Sequence, residues 1–190
     1  MNHQGTVVLE TERLVLRPFR LTDAKDMYHN WASQDNVTRY LTWPTYTSED
    51  GSKSILELWV RNYEDKKYYQ WCIEWKENHQ AIGSFAIVHM EEDINAVEIG
   101  YCIGEEYWHR GIVSEAFQEV IKFLFEKVEC NRIYARHDIC NPNSGKVMKK
   151  SGLIYEGTLL EAGKNNTGIC DLAVYGITKK LYTGKKNSED

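Results

Sequence analysis

The stretch 98–128 constrains the fold more than any other part of the chain. It opens as a run of strand-formers, Glu98-Ile99-Gly100-Tyr101-Cys102-Ile103-Gly104, crosses a short loop at 105–111, and then changes period. Apolar residues recur at Val113, Ala116, Phe117, Val120, Ile121, Leu124 and Val128, the spacing of a helix with a broad buried stripe. A strand that feeds straight into such a helix needs a sheet for the helix to lie on, which points to layered α and β structure. The loop presents unpaired backbone amides at a helix start, and those suit a pyrophosphate. Arg110 adds a charge there. One glycine is not Gly-x-Gly-x-x-Gly, and no Lys-Ser/Thr follows as in a P-loop, so an ordinary strand-to-helix turn stays open.

The flanking sequence supplies the rest of the sheet. Leu14, Leu16 and Pro18 alternate with Arg13, Val15 and Arg17, as in an edge or half-buried strand. Thr22 or Asp23 caps a helix that carries Met27, Tyr28 and Trp31 inward. An aromatic connection around Pro44 leads to a second helix, begun by Thr47 or Ser48, with Ile55, Leu58 and Trp59 inward. Strands at 68–75 and 81–88 flank a polar hairpin loop, and a third strand covers 95–103. After the long helix come a strand at 131–139, a helix opened by Asn141-Pro142-Asn143-Ser144, and two closing strands at 153–160 and 169–177. The order predicts a mixed α+β sheet with helices on both faces, in one domain over 1–180. A polar tail, frayed from about 179, occupies 181–190.

Composition narrows the function classes. The chain has 190 residues and a net charge of −5, which fits one domain and disfavours nucleic acid and anionic lipid as partners. No apolar run approaches the ~20 residues of a membrane span, and the first residues carry no secretory pattern. Five scattered cysteines without Cys-x-x-Cys spacing predict small buried hydrophobes in a reducing, cytoplasmic setting. His137 and Cys140 lack further ligands at metal-binding spacing, so no metal is expected.

The residues from Glu98 to Ala116, then Asn141-x-x-Ser144 and Ser151-Gly152-Leu153-x-x-Glu156-Gly157, together resemble the GNAT superfamily of acetyl-CoA-dependent N-acetyltransferases. The opening Thr11-Glu12-Arg13-Leu14-x-Leu16-Arg17-Pro18 is similar to its RimJ/RimL-like branch, which acetylates ribosomal-protein N-termini. The resemblance spans about 11–180. It implies a mostly antiparallel twisted sheet of about six to seven strands, with acetyl-CoA in the splay between the fourth strand, 95–103, and the fifth, 131–139. It implies that Tyr101, Cys102 and Ile103 pair by backbone with the pantetheine arm, that His109, Arg110, Gly111, Val113 and Ser114 line the pyrophosphate loop, and that Asn141 and Ser144 sit near the thioester. The chain departs from the pattern at three places. Trp108 replaces a polar residue, His109 stands where the branch often has Gly, and Val113 replaces a small residue and crowds the diphosphate. The tyrosine that serves many members as general acid is matched by Met148.

Within that resemblance the catalytic candidates are Glu98 as general base, Ser144 as acid or thiol partner, and the Cys102 backbone amide as oxyanion donor. The bland alternatives are a Glu paired with a neighbouring strand and a Ser in a helix first turn. His109 fits a phosphate-side role better than a base. Cys102 as a nucleophile is disfavoured. Tyr40, Trp43, Tyr46, Trp59 and Trp71 are expected as an acceptor-side wall, part of it core. Glu91, Glu92 and Asp93 are either an acidic rim for a cationic acceptor or a solvated loop. Lys146, Lys149 and Lys150 either meet the 3′-phosphate or solvate a helix face. Tyr155 is a further candidate near the substrate. The expected reaction is direct acetyl transfer to a primary amine in a ternary complex, with a protein N-terminal α-amine or a small-molecule amine (polyamine, aminoglycoside or amino-acid-like metabolite) as acceptor. The rival reading is a catalytically weak acyl-CoA sensor. The chain is expected to act as monomer or homodimer.

Overall fold

The computed structural model describes the backbone of residues 1–186 and the side chains of 1–184. Eight strands form one sheet in the order β1-β2-β3-β4-β5-β6-β8-β7. They are β1 (Leu9–Glu10), β2 (Leu14–Pro18), β3 (Gln70–Trp75), β4 (Gln80–Glu91), β5 (Ala96–Ile103), β6 (Arg132–Asp138), β7 (Ile154–Asn165) and β8 (Gly168–Thr178). The two-residue β1 takes the count past the expected six to seven and covers the edge of β2. Every neighbouring pair is antiparallel except β5 and β6.

Side-chain alternation along the strands sorts two cores onto opposite faces. Trp71, Ile73, Val97, Ile99, Ile133 and Ala135 pack with α4 (Ile112–Glu126), whose Ala116, Phe117, Val120 and Leu124 are fully buried. Cys72 and Ala81 face the other way, onto α1 (Ala24–Met27) and α3 (Glu49–Asn62) with Met27, Trp31 and Leu56. Trp71 therefore belongs to the α4 core and is no part of an acceptor wall. α2 (Asp35–Thr38) is a single turn that hydrophobic periodicity does not reveal. α5 (Pro142–Lys150) lies on the α4 side, with Met148 buried there.

Several local expectations need correction. The helix capped at Asp23 is present, with Met27 and Trp31 buried as expected, but it is only four residues long. A 3₁₀ turn over Leu21–Asp23 runs into α1 and then into a wider-wound turn over Tyr28–Ala32. Asp23 faces inward because Arg17 grips both of its carboxylate oxygens at 2.8 Å. Tyr28 is only half-buried, and Leu58 points to solvent. The tail is not frayed from 179, since Lys179–Lys186 forms α6, with Tyr182 stacked on Phe125 at 4.9 Å. The remaining tail, 187–190, lies outside the described residues.

Candidate active site

The central feature is a parting of two strands. β5 and β6 pair only at Ala96/Arg132, Val97/Ile133 and Glu98/Tyr134. Past Glu98 both strands continue without pairing, which leaves a splay. Alternation decides which backbone groups face it. The Gly104 amide donates to the Ile82 carbonyl of β4, so the amide of Cys102, two residues back, also points to β4, where it stands opposite Ser84. Tyr101 and Ile103 point into the splay, and the Trp108 indole donates to the Ile103 carbonyl at 3.0 Å. The expected oxyanion donor at Cys102 is thereby corrected, because its amide is committed to the ladder. Its thiol is pushed up to about 12 by burial, so it is no nucleophile at neutral pH.

Two cavities open from this splay. One of about 520 Å³ is lined by the loop at the start of α4, by α5 and by α2. His109, Gly111, Val113, Ser114, Asn141 and Ser144 all contribute to it, as do Lys146 and Lys150. Arg110 and Lys149 do not line it; Arg110 instead lies over the Tyr107 ring. Both His109 and Gly111 adopt left-handed backbone, with φ of 60° and 74°. Glycine takes that conformation freely, whereas for His it costs about 1–2 kcal/mol. A side chain at Gly111 would also come within 3.4 Å of the Lys150 amine. Thr11 and Arg13 brace this helix start by gripping the Glu115 carboxylate, Thr11 from 2.5 Å and Arg13 through both its amide and its side chain. Burial alone would raise the Glu115 carboxyl, but these donors hold it below the usual range.

The second cavity, of about 700 Å³, lies on the α1–α3 face. Tyr40, Trp43, Tyr46 and Trp59 form its wall, as expected from sequence. Trp31 also lines it, and its indole N–H has no partner among the described residues. Glu98, Gly100 and Cys102 form the strand side, which alternation places there. The acidic turn does not line it. Glu91 accepts from the Tyr134 hydroxyl, and Glu92 pairs with Lys67 and His3. Tyr155 is exposed, binds Thr158 and lines neither cavity.

Glu98 is buried and accepts two hydrogen bonds from Arg136, each 2.8 Å. The Glu98 carboxylate in turn raises the Arg136 guanidinium pKa. A bulge at Val88 shifts the β4–β5 register between Ile87 and His89, so His89 lies opposite Glu98. Val88 presses on Gly100, where a Cβ would come within 2.7 Å of it. Sequence reading missed His89 and Arg136. The first depends on a bulge, the second on the register of a parallel pair.

The two cavities share Tyr40, Leu41, Tyr101, Cys102, Asn141 and Ser144. At that junction the Tyr101 hydroxyl lies 3.0 Å from the Ser144 carbonyl and 2.9 Å from its Oγ. It donates to the carbonyl, which leaves the serine hydroxyl to donate to it. Burial raises the Tyr101 pKa, so this hydroxyl stays protonated. The position of Met148 is fully apolar and offers no acid. Cys72 and Cys130 are buried as expected, but Cys140 is exposed at the mouth of the smaller cavity. No cluster of three metal-ligating side chains occurs among the described residues.

Two chambers that meet over one strand give room for two bound molecules to touch and exchange a group. Comparison with known proteins identifies the group: residues 13–154 match the acetyltransferase (GNAT) domain, and the chain belongs to that family of acyltransferases. An uncharacterized N-acetyltransferase of Bacillus subtilis is 30% identical over 172 residues, 90% of this chain and 97% of its own. The ribosomal-protein-serine acetyltransferase of Escherichia coli is 28% identical over 136 residues, 71% of this chain and 75% of its own. Among solved structures, a ribosomal L7/L12 alpha-N-protein acetyltransferase in complex with coenzyme A superposes with a TM-score of 0.80 at 18% identity, covering 90% of this chain and 98% of that one.

Proposed function

We propose that this enzyme transfers the acetyl group of acetyl-CoA directly to a primary amine. The acceptor is a protein N-terminal α-amine or a small-molecule amine. The observation that carries the reading is the meeting of two cavities at Tyr101, Asn141 and Ser144, which lets two substrates touch without a covalent enzyme intermediate. The relative named as a ribosomal-protein-serine acetyltransferase supports a protein acceptor.

The chain's residues fit the cosubstrate. The backbone of Tyr101 and the amide of Ile103, which β6 leaves unpaired, offer an edge to which an amide-bearing arm adds as a strand. The left-handed turn at 109–111 bares the first amides of α4 for a pyrophosphate, and Lys146 and Lys150 supply charge. Acetyl-CoA brings an activated thioester whose thiolate leaves readily.

Each remaining task falls to a named group. The amine must lose a proton to attack, and Glu98 takes it, directly or through water. Arg136 orients that carboxylate. The backbone amide of Tyr101, aimed into the splay at the junction of the two cavities, serves the developing oxyanion, and that of Ile103 is left for the arm. The thiolate leaves as the anion and takes its proton from solvent, while the Ser144 hydroxyl, turned from Tyr101, donates a hydrogen bond to the departing sulfur. The test is thiol release from acetyl-CoA with and without amine acceptors. Amine-dependent release is expected. Tight acetyl-CoA binding with no release under any amine would favour the sensor reading instead.

A further inference from the structure

We infer that the acceptor carries its amine on a large apolar or aromatic body and bears one positive charge rather than several. This rests on the amine-acetylation reading and narrows it. The wall of the larger cavity is aromatic and half-buried: Trp43 packs on Tyr46 at 5.3 Å, Trp59 on Phe19 at 5.0 Å, and Ile55 adds an aliphatic side chain to the lining. Burial raises the Tyr46 pKa, as expected of a ring against an apolar chamber. At about 700 Å³ the chamber far exceeds what a serine or alanine side chain occupies.

The carboxylates that line the chamber are Glu98 and Asp138. Both already hold donors, and of the two only Glu98 has a cation, Arg136, as partner, which leaves one uncompensated negative charge in the chamber. Glu98 is held bidentately by Arg136. Asp138 accepts from the Cys140 amide at 2.8 Å and from the Asn165 side chain at 2.7 Å. A polyamine or aminoglycoside brings several ammonium groups, and each beyond the first would lose water without gaining an unpaired carboxylate. A single ammonium on an aromatic body loses little. Its ring stacks on the wall, and its transfer out of water favours the neutral, nucleophilic amine. A free arylalkylamine and a peptide beginning with Phe or Trp share this chemistry.

The test measures kcat/KM for thiol release with phenethylamine and tryptamine, with peptides starting Phe, Trp, Ser or Ala, and with spermidine and kanamycin. Expected is a preference of about tenfold or more for the aromatic members, the worth of one buried ring. Use of the free amines alone would identify a small-molecule source, and equal use of Phe and Trp peptides a protein source; either upholds the inference. Equal or better turnover of spermidine, kanamycin or the Ser and Ala peptides overturns it. Trp43→Ala and, separately, Trp59→Leu should raise KM for phenethylamine with little change in acetyl-CoA affinity. Should no amine turn over, the transfer reading fails on its own, and calorimetry on the CoA-bound enzyme decides this one. Binding of phenethylamine but not spermidine upholds it, and the reverse, or no binding of either, overturns it.

Discussion

Glu98 carries the sharpest prediction at the scale of single residues. Glu98→Gln keeps the shape and a hydrogen bond to Arg136 but removes the base, so kcat should fall more than tenfold with acetyl-CoA binding unchanged. A smaller loss would assign Glu98 to structure alone. Tyr101→Phe breaks the hydroxyl chain to Ser144. It should lower kcat while leaving KM for acetyl-CoA near its original value, as read from steady-state rates. The cysteines give a chemical check: with its thiol raised to about 12, Cys102 should stay unmodified by iodoacetamide at pH 8, while exposed Cys140 reacts first, as mass spectrometry would show. Much at this scale was legible in sequence. Glu98, Ser144 and the loop residues His109, Gly111, Val113 and Ser114, singled out from pattern and resemblance, all line a cavity, whereas Arg110 does not. The Cys102 amide was not readable, because its direction is set by the ladder to β4. Arg136 and His89 were hidden for similar reasons.

Elements are held together by ion clusters that the sequence shows only as scattered charges. Arg17 on β2 binds both oxygens of Asp23 at the start of the first helical turn and Glu74 on β3 at 2.5 Å. Side-chain exposures of 6% for Arg17 and 8% for Asp23 put this pair inside the protein. Arg17→Met would strand two carboxylates there, at a cost of about 3–5 kcal/mol, measurable by urea unfolding. Burial alone would raise the Glu74 carboxyl, but hydrogen bonds from Arg17 and His79 outweigh it and hold it low. Glu115 and Asp138 are lowered in the same way by their donors. A depressed carboxyl stabilises the fold above its unfolded pKa of about 4, and that stability is lost as pH falls through the lower folded value. The melting temperature should therefore drop below about pH 4, and in Arg17→Met by less. On α4, Phe117 is fully buried against Phe85 at 5.0 Å and Tyr101 at 5.7 Å. Phe117→Ala should cost about 3–5 kcal/mol and loosen the strand that carries the site. The helical stripe of α4 predicted this packing. The first helical segment starts at Asp23 as expected, but its regular period breaks after four residues, where the wider turn at Tyr28–Ala32 takes over.

For the whole molecule, the sheet decides function by where it stops pairing. The order of strands and helices was readable from periodicity, and so was the presence of helices on both faces. The splay followed from the family resemblance and not from periodicity, because it arises from three paired residues between strands separated by the whole of α4. Periodicity also hides the donors that engage the carboxylates of the larger chamber, which depend on β5, β6 and the β7–β8 hairpin meeting in space. The central claim is that both substrates are bound together and the acetyl group crosses once. Initial rates of thiol release, measured while acetyl-CoA and an amine are both varied, test it directly. Intersecting double-reciprocal lines with no acetylated protein by mass spectrometry are predicted. Parallel lines with an accumulating acetyl-enzyme, or release that does not depend on amine, would contradict it.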